Sequence, residues 1–166
     1  MLVLGYIGNS PGDNWLTKAA RAVTRWAQKG SFYEAVTHVE SHLGGPWYAA
    51  RIGSSSFRDK GVRTKDNVEL HKGNWIVLNV PLFKAELAEE WHLQNNGKIY
   101  DLNGAIATIL WLLKQEPDEF ICVEAVAIPQ HILDSHQMTT AEFMAFCMSL
   151  PGSEDVTDTF FAEERK

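Results

Sequence analysis

Phe120-Ile121-Cys122-Val123-Glu124-Ala125-Val126-Ala127 reads as a loop passing straight into a short helix, with a thiol at the helix start. Far upstream, Val36-Thr37-His38-Val39-Glu40 reads as a β-strand. Alternation along it places Val36, His38, Glu40 and His42 on one face and Ala35, Thr37, Val39 and Ser41 on the other. A thiol and an imidazole so placed can act as nucleophile and general base. The thiolate is the reactive form, helix N–H groups favour it, and a strand holds a base rigidly within reach. The same N–H groups can receive an oxyanion. Each residue also has a plainer reading: Cys122 as a small buried hydrophobe between Ile and Val, and His38 as an ordinary polar residue of a half-exposed strand.

Outward from these two stretches, the periodicity gives a helix, then a sheet, then helices. Residues 2–7 read as a buried strand. Asp13 is a candidate N-cap for a helix over 14–28, in which Leu16, Ala19, Ala20, Val23, Trp26 and Ala27 recur at helical spacing. Lys18, Arg21, Arg25 and Lys29 are then expected to face outward. Strands are expected over 34–41, 47–52, 62–70 and 74–80, separated by turns at Gly44-Gly45-Pro46, Gly53-Ser54-Ser55-Ser56 and Lys72-Gly73-Asn74. Helices follow over 83–95, over 102–114 and from Cys122 to a break at Pro129, with Pro117-Asp118 between the last two. A final helix over 140–150 opens on the capping-box pattern Thr139-x-x-Glu142. The layout is α+β, an antiparallel sheet packed by helices.

At 166 residues the chain reads as one domain over 1–152, with an acidic, mobile tail over 153–166. A net charge of −6 gives no general attraction to nucleic acid or to an anionic membrane. The apolar N-terminal stretch lacks a basic leader, and neither it nor Ala105–Leu113 is long enough to span a bilayer, so a soluble protein is expected. Two cysteines, Cys122 and Cys147, suggest free thiols rather than a disulfide framework.

His38, Glu40 and His42 could be read as metal ligands, but with the outer pair about 13 Å apart along a strand one ion is reached by two neighbours and not by all three, so without a further ligand metal ranks well below thiol chemistry. No metal and no cofactor is expected. His71, His92, His131 and His136 have no partner at a recognisable spacing and read as surface or loop residues. Cys147 lies in the apolar run Phe143–Met148 and reads as core. Gly8-Asn9-Ser10-Pro11-Gly12 lacks the Lys-Ser/Thr of a phosphate loop.

Three phrases in this order and spacing carry a family resemblance: Thr37-His38-Val39-Glu40, Gly97-Lys98-Ile99-Tyr100-Asp101-Leu102-Asn103-Gly104 and Phe120-Ile121-Cys122-Val123-Glu124. Together they resemble the circularly permuted NlpC-like branch of papain-fold hydrolases, the YiiX type, including its small bacteriophage members. Gly53–Arg63 is similar to a serine-rich, glycine-valine-arginine stretch of the phage members. The likeness spans about residues 1–128. It implies a permuted papain-like fold in which Cys122 is the nucleophile and His38 its base. Attack on an amide or ester carbonyl would give an acyl-enzyme that water hydrolyses. Tyr100 would line the cleft or help hold the oxyanion, while Asp101 reads as the N-cap of the helix that follows.

The chain departs from the family at two places. Val123 stands where a serine commonly follows the cysteine. The strand expected to supply the histidine-orienting group, Trp47-Tyr48-Ala49-Ala50-Arg51, has no carboxylate, amide or imidazole. Glu40 is the nearest substitute, and Glu124 is assigned to the helix start or to an ion pair with Arg51 or Arg63. The implied activity is cysteine-dependent cleavage of an amide bond, with a peptide, a cell-wall peptide or a lipid ester as substrate. The alternative is an inactive fold serving as a virion or host-interaction protein. The implied location is the host cytoplasm or the virion.

Overall fold

In a computed structural model of the chain, residues 1–8, 15–101, 120–132 and 134–162 are described. The expected N-cap Asp13, the helix over 102–114 and the Pro117-Asp118 break lie outside them. Six strands, β1 (Leu2–Tyr6), β2 (His38–Gly44), β3 (Ala50–Ser56), β4 (Gly61–Val68), β5 (Trp75–Asn79) and β6 (Glu154–Asp155), form one sheet in the order β4-β3-β2-β1-β5-β6. Every pairing is antiparallel. The helices are α1 (Trp15–Ala27), α2 (Ala85–Asn95), α3 (Cys122–Ala127), α4 (Thr140–Ser149) and α5 (Thr157–Ala162). The expected α+β layout is present.

The central strand β1 pairs Gly5 with Val39 and Leu4 with both Glu40 and Val77, so neighbouring residues of each strand feed opposite faces. Val3, Val39 and Leu78 belong to one core, closed by Cys122, Val126, Ala141, Phe143, Met144 and Cys147 from α3 and α4. Leu4, Ile52 and Val77 belong to a second core with Leu70 and with Phe160 of α5.

Four expectations are corrected. Gly53-Ser54-Ser55-Ser56 is not a turn but the buried second half of β3, and the chain reverses at Phe57–Lys60 instead. There Lys60 and Gly61 take positive φ (65° and 151°), and a Cβ on Gly61 would lie 1.9 Å from the Lys98 carbonyl oxygen. The segment after Ser153, expected as a mobile tail, pairs Glu154 and Asp155 with β5 and continues into α5, because Phe160 has a core to enter. His92, expected at the surface, is fully buried in α2.

Finally, α1 faces the opposite way from the expectation. Trp15, Val23 and Trp26 are exposed, whereas Arg21, Thr24 and Arg25 are half-buried and Gln28 is buried. Periodicity locates the helix but not its buried side, and here polar bonds decide it. Arg25 donates to the Ile7 carbonyl and Arg21 sits over the Tyr6 ring. Gln28 donates to the Val36 carbonyl and accepts from Thr140 and the Ala141 N–H, tying α1 to α4.

Candidate active site

His38 is the first residue of β2 and Cys122 the first of α3. Backbone bonds bring them together. Gly97 and Val62 exchange bonds with each other's segments: the Gly97 N–H donates to the Val62 carbonyl and the Val62 N–H to the Lys98 carbonyl. The missing Cβ of Gly61 permits that approach. Next along, the Phe120 N–H donates to the Ile99 carbonyl and the Asp101 N–H to the Phe120 carbonyl, which sets Tyr100 beside the entry to α3. The Ser55 hydroxyl then donates to the Phe120 carbonyl and fastens that entry to β3. The Glu124 carboxylate accepts the Ile121 N–H at 2.9 Å, a first-turn cap. Of the two roles considered for Glu124, this is the one observed: Arg51 pairs with Asp66 and Glu89, and Arg63 with Glu40 and Asp59.

Cys122 neighbours the imidazole closely enough to act on its charge. On the ring itself, Nε2 meets Glu40 Oε1 at 3.2 Å and Ser54 Oγ at 2.9 Å. Burial alone would lower the His38 pKa, but Cys122 and then Glu40 outweigh it and push it up to about 9. Burial likewise works to raise the Glu40 carboxyl, and the His38 and Arg63 cations reverse it, holding the group below its usual range. Arg63 donates to Glu40 at 3.0 Å and also to Asp59, which takes a further bond from Lys65. Glu40 is therefore an anchored carboxylate, only 3% exposed, rather than a loose neighbour on the strand.

Ser54 was not among the residues singled out from the sequence. The expected strand ends at residue 52, and Gly-Ser-Ser-Ser has turn composition, so Ser54 reads as part of a turn. The one available signal was continued alternation, with Ala50, Ile52, Ser54 and Ser56 on one face and the reversal delayed to Gly61.

A small cavity of about 60 Å³ opens beside Cys122, walled by Tyr100, Thr37, Val123, Thr24 of α1 and Gln28 just after it. Burial, followed by the neighbouring Cys122, pushes the Tyr100 phenol well above its ordinary value, so it stays a hydrogen-bond donor. His38, Glu40 and His42 do not converge on one point. Glu40 is taken by Arg63, and the His42 ring stands edge-on to Phe160. Cys147 is a fully buried core residue whose thiol is pushed far up by burial. Both cysteines are free.

Compared with protein-family models, with curated proteins and with solved structures, the chain matches none.

Proposed function

We propose that the chain is a cysteine hydrolase of the permuted papain-like type, acting on an amide bond. Cys122 attacks the carbonyl carbon, and His38 takes the thiol proton and returns it to the leaving amine. Water, deprotonated by His38, then releases the acyl group from sulfur. Glu40 and Ser54 hold the ring, and Tyr100 donates to the developing oxyanion. The reading rests above all on one observation: an imidazole that neighbours a thiol at a helix start and is held at Nε2 by an anchored carboxylate. The substrate class, a peptide, a cell-wall peptide or a lipid ester, follows from family resemblance alone.

A second reading has its own support. Cys122 is only 5% exposed and packs within a hydrophobic core, as expected of an inactive fold kept for a virion or host-interaction role. An activated ester such as p-nitrophenyl acetate separates the two. The hydrolase gives a burst of p-nitrophenol and an acetyl group on Cys122 by mass spectrometry, and both are lost in Cys122→Ser and His38→Ala. Slow acetylation shared with Cys147, or unchanged by His38→Ala, sinks the hydrolase reading.

A further inference from the structure

The outward face of α1 has the wrong chemistry for a helix meant only to meet water. Trp15 is 74% exposed, Trp26 72% and Val23 49%, and Ala19 and Ala22 are exposed between them. Eleven residues at 3.6 per turn bring Trp26 back to within about 20° of Trp15, roughly 16 Å further along the axis. The two indoles therefore stand on one line. Phe32, 90% exposed, follows in the turn after the helix.

The charges on this element are all of one sign. Lys18, Arg21 and Arg25 lie on α1, Lys29 follows it, and Trp15–Gly30 contains no acidic residue, in a chain of net charge −6. By the same helical angle Lys18 and Arg25 fall on one flank of the tryptophan line, within about 20° of one another, and Lys29 follows in the turn after the helix. Lys18 and Lys29 are exposed, while Arg25 is half-buried and donates to the Ile7 carbonyl. The nearest acid downstream, Glu34, folds back to accept the Gly30 N–H.

We propose that α1 is a docking surface for an anionic lipid bilayer. The helix would lie in the interfacial plane, with Trp15, Val23 and Trp26 entering the acyl boundary and Lys18 and Lys29 reaching lipid headgroups. A second copy of the chain fits less well, because a two-fold contact with the helices antiparallel would set the lysine flanks of both copies side by side, and any self-contact leaves the lysines without an anion to meet. The inward side of α1 supplies Thr24, and the turn after it Gln28, to the cavity beside Cys122, so docking here brings that cavity close to the membrane. The proposal does not depend on the cavity being catalytic.

Co-sedimentation of the full chain with vesicles tests it. Wild type is expected to pellet with phosphatidylcholine vesicles containing phosphatidylglycerol and to remain in solution with phosphatidylcholine alone. Trp15→Ser combined with Trp26→Ser should lower partitioning by about tenfold. Lys18→Glu and Lys29→Glu should each lower it roughly fivefold, and added salt should do the same. All four positions are exposed, so unchanged thermal unfolding confirms that the variants are folded. Equal pelleting with neutral vesicles, or pelleting that survives loss of both tryptophans, overturns the proposal. So does failure to pellet with anionic vesicles, whether the face then proves to be free, self-associating or bound to another protein.

Discussion

His38 bonds Ser54 and Glu40 through one nitrogen, and the residues at the far ends differ in kind. Ser54 supplies a hydroxyl, and its loss leaves Glu40 in place. Ser54→Ala is therefore expected to cost about 1 kcal/mol of stability and to slow ester hydrolysis about tenfold by loosening the ring. Glu40 supplies charge. In wild type the His38 ring should titrate at about 9 by NMR, against an unfolded value near 6.5. Glu40→Gln removes one of the neighbours that raise it, so the midpoint should fall. An unmoved midpoint would show that Glu40 does not act on His38. The same substitution leaves Arg63 with Asp59 alone, so a destabilisation of about 3 kcal/mol is expected in chemical denaturation.

Among the elements, β3 carries the most information, because its inner face meets the His38 ring and its outer face meets α2. A Cβ on Gly53 would come within 2.4 Å of the His92 ring, which is fully buried and has little room to turn. Gly53→Ala should therefore destabilise by about 1–3 kcal/mol through overpacking, measured by denaturant midpoint. The elements most legible in the sequence were those whose signals are local. The Thr139–Glu142 capping box forms as expected, and α2 runs over Ala85–Asn95 against an expected 83–95. What was not legible depended on distant partners. The hydroxyls of Ser54 and Ser55 are tolerated in a buried strand only because His38 and the Phe120 carbonyl bond them, 16 and 65 residues away. The direction of α1 likewise depends on Ile7, Tyr6 and Val36, outside the helix. That His38 and Glu40 share a strand face is legible in the sequence; the anchoring of Glu40 by Arg63 is not.

For the molecule as a whole, two histidines set opposing limits on stability with pH. Burial, reinforced by the Arg63 cation, lowers His92 to about 4. Its neutral form is thus favoured by folding, and the stability it contributes is present above pH 6.5 and lost as pH falls toward 4. The shift corresponds to about 3 kcal/mol. His38 works in the other direction. Its raised value contributes stability that is full below pH 6.5 and disappears as pH rises through about 9. Denaturation midpoints should therefore peak near pH 6.5 and fall on both sides. His92→Leu should flatten the acid limb, and His38→Ala the alkaline one. A profile in which either substitution leaves its limb unchanged contradicts the assignment.

The pairing of Cys122 with His38 is tested most directly by the rate at which iodoacetamide labels Cys122 between pH 5 and 9, followed by peptide mass spectrometry. The predicted result is labelling at pH 6 that is much faster than that of a free thiol and is lost in His38→Ala. Labelling no faster than a free thiol, or none until denaturant is added, would contradict it.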